Sequence, residues 1–167
     1  PLGEVPRDAD SRGDVPAVKK AIARKTKLIC LANPNNPTGT LTPKSDILEI
    51  LDTGLPVLID EAYYEFSGRT VAPLVGKSEN LMVLRTFSKW AGLAGLRAGY
   101  GLFPEKIADY LLRIKMPYNV NAAALVALAE ALKHQPRIRP PLLTGDDLIK
   151  LGMKPGPAMG QLLDEIR

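Results

Sequence analysis

The stretch Leu55-Pro-Val-Leu-Ile59, followed at once by Asp60-Glu-Ala-Tyr63, is the part of the sequence that best indicates the fold. Its first half is apolar throughout and has the length of a strand, and its second half begins with charged residues. Strands that are apolar at every position are typical of parallel sheets covered on both faces. The stretch therefore predicts a buried strand with polar side chains at its carboxyl end.

Two runs on either side of this strand repeat its pattern. Lys27-Leu-Ile-Cys-Leu-Ala32 leads into the turn Asn33-Pro-Asn-Asn-Pro-Thr-Gly39, and Leu81-Met-Val-Leu84 leads into Arg85-Thr-Phe-Ser-Lys89. Helices are predicted from Asp14, from a cap at Thr42-Pro43 until just before Gly54, and over residues 104–115 and 122–134. The second helix presents Ile47, Leu48 and Leu51 at helical spacing. Strands that alternate with helices predict an α/β fold with a mainly parallel sheet and helices on both faces.

The composition is that of a globular protein, with 167 residues of which 46% are hydrophobic and 24% charged. The apolar runs are too short to span a bilayer and no signal peptide is visible, so we expect a cytoplasmic protein without membrane contact. The 22 Lys and Arg residues exceed the 18 Asp and Glu residues by 22 − 18 = 4. This mild excess suits an anionic ligand but is too small to indicate a nucleic acid partner.

The chain has one cysteine, Cys30, and one histidine, His134. These numbers exclude an intrachain disulfide framework and a His/Cys zinc site of the usual kind, and we expect no metal. Because Cys30 lies inside a predicted strand, we expect it to be a small core residue. His134 is expected to stabilise a helix end.

Polar side chains follow each of the predicted strands, and the carboxyl ends of parallel strands meet at one edge of a sheet. Each of these residues also has an ordinary explanation, as a turn residue, a cap or a solvated lysine. Lys89 is explained less easily, because it lies between Phe87 and Trp90 in an apolar, glycine-rich stretch that makes it a candidate for imine formation. The polar set is Asn35, Asn36, Asp60, Tyr63, Thr86, Ser88 and Lys89.

Pyridoxal 5'-phosphate (PLP) is a cofactor that needs this set of groups. An amine forms the imine, a carboxylate keeps the pyridine nitrogen protonated, and hydrogen-bond donors stabilise the ring oxygen. The phosphate requires an arginine and hydroxyl groups, and Arg97 follows Lys89 closely. Gly92 and Gly95 lie between Lys89 and Arg97, where we expect them to allow a close backbone approach.

Three motifs carry a resemblance to a known family: Asn33-Pro-Asn-Asn-Pro-Thr-Gly39, Asp60-Glu-Ala-Tyr63 and Arg85-Thr-Phe-Ser-Lys-Trp-Ala-Gly-Leu-Ala-Gly-Leu-Arg-Ala-Gly-Tyr100. In this order they resemble the class I/II aminotransferases of PLP fold type I, and most closely the histidinol-phosphate aminotransferases. The resemblance runs over about residues 4–132.

The resemblance implies a role for each matching residue. It implies that Lys89 forms the Schiff base, that Asp60 holds the pyridine nitrogen, and that Asn36 and Tyr63 contact the ring oxygen. Lys89, Asp60 and Tyr63 are the implied catalytic residues. The implied phosphate-binding residues are Thr86, Ser88 and Arg97.

The resemblance also implies an activity, namely amino-group transfer between histidinol phosphate and a 2-oxo acid in histidine biosynthesis, by a homodimer. The turn Pro117-Tyr-Asn-Val-Asn121 is either a substrate contact or a loop that ends in a cap at Asn121. Two alternatives stay open. The first is another fold type I enzyme, such as an aromatic aminotransferase or a decarboxylase of the phosphothreonine type. The second is a non-catalytic remnant or interaction module whose helical tail binds RNA or a partner.

The sequence divides into a partial PLP-binding large domain over residues 1–134, a linker over 135–141 and a helical tail over 142–167. The tail resembles a segment of CCA-adding tRNA nucleotidyltransferases but lacks a catalytic carboxylate pair, since Asp146 and Asp147 suit a helix start. The resemblance implies that the family's preceding segment and small domain have no counterpart among these residues, of which Pro1 is the first. We therefore expect an incomplete enzyme, which is a fragment, a fusion, an artefact or a built chimera.

Overall fold

A computed structural model describes residues 3–7 and 13–133. Its sheet contains β1 (Ile29–Ala32), β2 (Val57–Asp60), β3 (Leu81–Thr86) and β4 (Gly99–Leu102), in this spatial order. The pairs β1–β2 and β2–β3 are parallel, and β4 runs antiparallel to β3. The predicted α/β fold with a mainly parallel sheet is confirmed, whereas β4 was not predicted.

The predicted helices are present with small shifts at their ends. The predicted start of the second helix at Thr42-Pro43 is confirmed, with Pro43 at the cap position and no side-chain hydrogen bond to the cap. The Thr42 backbone N–H donates to Asn33 Oδ1 at 2.8 Å, which closes the turn after β1. The α-helices are α1 (Val15–Ala21), α2 (Lys44–Leu51), α3 (Tyr64–Ser67), α4 (Glu105–Ile114) and α5 (Ala122–Lys133), with 3₁₀ turns at Ala72–Lys77 and Ala94–Leu96.

The main core lies on one face of the sheet, where α1 and α2 cover it. In α2 the buried residues are Ile47, Ile50 and Leu51, while Leu48, which the helical spacing placed with them, is 41% exposed. Side chains alternate between the two faces of a strand. We call the buried set the sheet core: Val15, Ile47, Ile50, Leu51, Val57, Ile59, Val71, Val75, Leu81 and Val83.

The opposite face of the sheet is covered less completely by the described part of the chain. Leu58, Met82 and Leu84 on this face are half-buried, and Cys30 is exposed. The expectation that Cys30 is a core residue is therefore wrong, because β1 is an edge strand and Cys30 is on its open face. The continuously apolar strands predicted a sheet that is covered on both faces. The described part of the chain fully covers one face and only partly covers the other.

A smaller cluster joins the segment after β3 to α5. Phe87, Ala98 and Ala124 are its buried members, and Ala124 is the buried residue of α5. Asn121 caps α5, since its Oδ1 accepts from the Ala124 N–H at 2.8 Å, and its Nδ2 donates to the Leu96 carbonyl at 3.0 Å. The structure thus confirms the cap at Asn121, while a substrate contact by the turn over residues 117–121 stays a prediction.

Further sequence-based predictions fall outside the described ranges, namely His134, the linker over 135–141 and the tail over 142–167. Among the helices that are described, none is both long and apolar enough to cross a bilayer. Residues 3–7 and 13–133 contain no group of three His, Cys, Asp or Glu side chains that could hold a metal ion.

Candidate active site

Strand alternation places two predicted site residues on the open face of the sheet. Asp60 ends β2 and Thr86 ends β3. Because Ile59 and Val83 point into the sheet core, residues one or three positions further along point to the opposite face. Asp60 is exposed, and its Oδ1 accepts from the Ala62 N–H at 3.0 Å. The polar groups at the carboxyl edge are therefore accessible from one side.

Three predicted residues from separate segments come together beside this edge. Asn36 Nδ2 donates to the Tyr63 hydroxyl at 3.2 Å, which joins the turn after β1 to the turn after β2. Lys89 Nζ lies 5.4 Å from the centroid of the Tyr63 ring, within the range of a cation–π interaction. The structure thus brings an amide, a phenol and an amine into one neighbourhood.

The surroundings of Lys89 differ from what its sequence neighbours suggested. Phe87 is buried and Trp90 half-buried in the smaller cluster, and their rings lie 6.0 Å apart. Lys89 itself is exposed. The apolar residues around Lys89 hold the loop in place, and the amine remains accessible to a ligand.

Of the three predicted phosphate-binding residues, two share a turn. Thr86 Oγ1 accepts from the Ser88 N–H at 3.1 Å and donates to the Ala98 carbonyl at 3.4 Å. Arg97 is exposed and donates from Nη1 to the Ala94 carbonyl at 2.9 Å. Within residues 13–133 no hydrogen bond joins the Arg97 side chain to Thr86 or Ser88, so the structure brings together two of the three.

No described residue packs closely against the glycines between Lys89 and Arg97, so the close approach expected there is not made by the described part of the chain. A Cβ atom added at Gly92 or Gly95 would meet no atom within 4 Å. Gly92 is needed for a different reason, since its φ of 66° lies in the left-handed region. Within the described chain a close backbone approach occurs at Gly99, where an added Cβ would lie 2.7 Å from the Arg85 carbonyl oxygen.

Sequence reasoning missed a buried ion pair directly behind this edge. Glu61 is fully buried, and its Oε2 accepts from Arg85 Nε at 3.0 Å and from Nη2 at 2.8 Å. Its Oε1 accepts from the Val71 N–H at 2.8 Å, and Thr70 Oγ1 lies 2.7 Å from Oε2. A signal was available, because Glu61 and Arg85 continue the buried alternation of Ile59 and Val83.

Arg85 also reaches the aromatic residues on both sides of the pair. Its Nη1 donates to the Tyr100 hydroxyl at 3.3 Å, and its Cζ lies 3.6 Å from the centroid of the Tyr64 ring. Burial acts to lower the pKa of Arg85, but the hydrogen bonds to Tyr100 and Glu61 and the negative charge of Glu61 raise it overall. The guanidinium therefore stays charged.

A second carboxylate lies close to this pair. Partial burial raises the pKa of Glu65 above its ordinary value, and the nearby charge of Glu61 acts in the same direction. A backbone hydrogen bond and the charge of Arg85 oppose this rise. Glu65 Oε2 is buried and accepts no hydrogen bond from the residues that the structure describes.

The chain belongs to the family of class I and II aminotransferases, whose sequence pattern matches residues 3–149. Its match to individual members covers most of this chain but a smaller share of their length. A histidinol-phosphate aminotransferase from Dehalococcoides mccartyi (strain CBDB1) is 59% identical over 128 residues, which are 77% of this chain but 36% of that protein. The chain thus spans little more than a third of the length of this curated relative.

Solved structures confirm the fold. The crystal structure of histidinol-phosphate aminotransferase from Sinorhizobium meliloti in complex with pyridoxal-5'-phosphate has a TM-score of 0.74 and 29% identity, over 83% of this chain and 39% of that one. The L-threonine-O-3-phosphate decarboxylase from Porphyromonas gingivalis has a TM-score of 0.63 and 28% identity, over 71% and 40% of the two chains. The resemblance inferred from the three motifs is confirmed, and the resemblance of the tail stays a prediction.

The donor set at the carboxyl edge fits PLP chemically. The exposed Lys89 amine, the hydrogen-bonded pair of Asn36 and Tyr63, and the exposed carboxylate of Asp60 supply the groups for its aldehyde, ring oxygen and pyridine nitrogen. The Thr86–Ser88 turn supplies hydroxyl groups for its phosphate.

Proposed function

We propose that this chain is the PLP-binding part of an aminotransferase that moves an amino group between histidinol phosphate and a 2-oxo acid in the cytoplasm. The observation that carries the proposal is the Asn36–Tyr63 hydrogen bond of 3.2 Å with Lys89 Nζ 5.4 Å from the same tyrosine ring. A structural turn alone does not need an accessible amine, an amide and a phenol from three segments in one place.

PLP, when bound, supplies a conjugated ring that accepts electrons from the substrate carbon. Lys89 would hold the cofactor at its aldehyde and would move the proton at the substrate carbon as a general base. Asp60 holds the proton on the pyridine nitrogen, because a carboxylate stabilises the protonated form. Tyr63 and Asn36 donate to the ring oxygen, and Thr86, Ser88 and Arg97 hold the phosphate.

The partners in this proposal are small molecules, an amino donor and a 2-oxo acid acceptor, and the enzyme acts as a homodimer. In this proposal the active site is shared between two subunits, as the resemblance to fold type I enzymes implies. The modest net charge of +4 gives no support for a nucleic acid partner.

Chemical trapping tests the proposal directly. The 167-residue chain is mixed with PLP, reduced with borohydride, digested and analysed by mass spectrometry. We expect the pyridoxyl label on Lys89, a loss of that label in Lys89→Ala, and no change in Lys106→Ala, which removes an exposed lysine of α4. Label spread evenly over the surface lysines would contradict the proposal.

Asp60→Ala separates the carboxylate from the lysine. It should weaken PLP binding while the residual label stays on Lys89, because the pyridine nitrogen loses its anionic partner. Asp52→Ala removes an exposed carboxylate at the far end of α2 and is the matched control. Equal PLP affinity for Asp60→Ala and the unchanged chain would mean that Asp60 does not face the cofactor.

The decarboxylase alternative is favoured by the structural similarity to the Porphyromonas gingivalis enzyme. A protection experiment distinguishes it from the proposal. If histidinol phosphate is the donor, adding it before borohydride should reduce the label on Lys89, because its amine displaces the lysine. Protection by O-phosphothreonine alone would favour the decarboxylase.

A further inference from the structure

We infer that Glu61 and Arg85 are positioning residues for the candidate active site, and that their buried ion pair fixes the ends of β2 and β3 so that Asp60 and Thr86 face the cofactor. The inference rests on the proposed function, since it assigns the pair to the placement of two proposed cofactor residues. It adds residues that touch neither the cofactor nor the substrate.

The sequence places each member of the pair directly beside a proposed site residue. Glu61 follows Asp60, and Arg85 precedes Thr86. Neighbouring residues of a strand point to opposite faces, so the pair forms on the buried face while Asp60 and Thr86 lie on the open face. The Glu61 N–H also donates to the Leu84 carbonyl at 2.9 Å, which extends the pairing of β2 with β3 beyond Asp60.

The contacts of the pair reach the other segments around the site. Arg85 stacks on Tyr64, the residue after Tyr63, with 3.6 Å from Cζ to the ring centroid. It also donates to Tyr100 on β4. A displacement of the guanidinium would therefore move the turn that carries Tyr63 as well as the two strand ends.

Stability alone is a weak explanation for this pair. Both side chains are withdrawn from water, with exposed fractions of 11% for Arg85 and 0% for Glu61. Desolvating two charges costs free energy that their attraction barely offsets, and apolar residues of similar volume often stabilise a core as well or better. What the ion pair supplies beyond stability is directional geometry, because the rigid Arg85 guanidinium donates to Glu61, Thr70 and Tyr100 at once.

A double variant tests the inference. Glu61→Gln/Arg85→Gln keeps an acceptor for the Val71 N–H but removes both charges and the stacked guanidinium. Glu49→Gln/Lys19→Gln is the matched control, because it removes an exposed ion pair with an N–O distance of 2.7 Å far from the carboxyl edge. Each chain is measured for its urea midpoint, its PLP affinity, and its amide hydrogen exchange without cofactor.

The exchange readout reports the two site residues without any cofactor. The Ala62 N–H donates to Asp60 Oδ1 and the Ser88 N–H to Thr86 Oγ1, so both amides follow the placement of these side chains. In the double variant we expect exchange at Ala62 and Ser88 to be about tenfold faster, with the amides of Ile59 and Val83 unchanged, and PLP affinity about tenfold lower. The control pair should change none of these quantities.

Each result supports or overturns the inference. Unchanged exchange at Ala62 and Ser88 in the folded double variant would overturn it, and so would a uniform increase across β2 and β3, which indicates a purely structural role. If the double variant does not fold, the same amide exchange rates are measured in Arg85→Lys. This variant keeps the positive charge but loses the planar guanidinium. Failure of the proposed function is separate, because it appears as an unlabelled Lys89 in the unchanged chain.

Discussion

The sheet core and the surface around α4 and α5 are both built from apolar residues but differ in burial. Ile59 and Val83 of the sheet core are 0% exposed, whereas Ile114 at the end of α4 is 76% exposed and Val126 on α5 is 73% exposed. We call the second region the helical surface: Tyr110, Leu111, Leu112, Ile114, Met116, Tyr118, Leu125, Val126 and Leu132. Periodic apolar residues thus indicate which element forms, while burial depends on which neighbours are present.

This difference determines where the free energy of unfolding comes from. In the sheet core, residues from α1, α2 and two strands, together with Val71 and Val75, exclude water from one another. On the helical surface, α4 has no buried residue and α5 buries Ala124. We therefore expect the sheet core to dominate stability, because burial of apolar area is the main favourable term in folding.

The largest expected effect comes from making one substitution in both regions. Ile59→Ala should lower the free energy of unfolding by about 2–5 kcal/mol, because it removes buried methyl groups and leaves a cavity. Ile114→Ala should change it by about 0.5 kcal/mol or less, since its side chain is already in water. Urea unfolding followed by the fluorescence of Trp90, the single tryptophan, measures both.

Equal losses in the two variants would break the comparison. They would mean that the helical surface is covered in solution, either by other residues of the same chain or by a second copy of it. An Ile114→Ala loss that grows with protein concentration would indicate self-association, because stability then depends on mass action.

Much of the sheet and part of the site could be predicted from the sequence, because both depend on local signals. Continuous apolar runs predicted β1, β2 and β3. The rule that ligands bind at the carboxyl ends of parallel strands predicted that Asn36, Tyr63 and Lys89 lie close together. β4 was missed because Gly99 and Gly101 make up half of Gly99–Leu102, and glycine is depleted in strands.

The remaining features depend on contacts between residues far apart in the chain. Glu61 and Arg85 are separated by 24 positions, and their pairing follows from the register of β2 with β3. The exposure of Cys30 depends on β1 being at the edge of the sheet, which no local pattern reveals. A charged residue in phase with buried strand positions is the signal that would have found the ion pair.

A smaller effect on the free energy of unfolding is expected from adding a methyl group at Gly99, the first residue of β4. Gly99→Ala places a Cβ 2.7 Å from the Arg85 carbonyl oxygen, so the backbone of β3 or β4 must shift. We expect a loss of about 1–3 kcal/mol, measured by urea unfolding. Gly95→Ala is the control, since an added Cβ there meets no atom within 4 Å, and it should not destabilise the chain. A cost-free Gly99→Ala would show that β4 is not paired as described.

Removing a helix cap in each region sharpens the comparison further. Asp14 caps α1 through the Ala17 N–H at 2.9 Å, and Asn121 caps α5 through the Ala124 N–H at 2.8 Å. Each Ala variant should cost about 1 kcal/mol. Asp14→Ala should lower the global urea midpoint, because Val15 of α1 belongs to the sheet core. Asn121→Ala should mainly speed amide exchange within α5, and a global loss of the same size in both variants would contradict this division.

The smallest expected effect is a pH dependence from Glu65. Because partial burial raises its pKa, the folded chain holds a proton on Glu65 in a pH range where the unfolded chain has released it. The folded state then binds more protons than the unfolded state, so stability falls as pH rises through this range. Glu65→Gln cannot ionise at this position. The effect is small because solvent screens the part of the Glu65 carboxyl that is not buried. The free energy of unfolding of both chains is measured between pH ~4 and pH ~7. We expect the stability of Glu65→Gln, relative to the unchanged chain, to increase as pH rises.

Glu79→Gln, at an exposed position, is the control and should show no such trend. A difference that moves in favour of the native glutamate would mean that the attraction of Arg85 outweighs burial at this site.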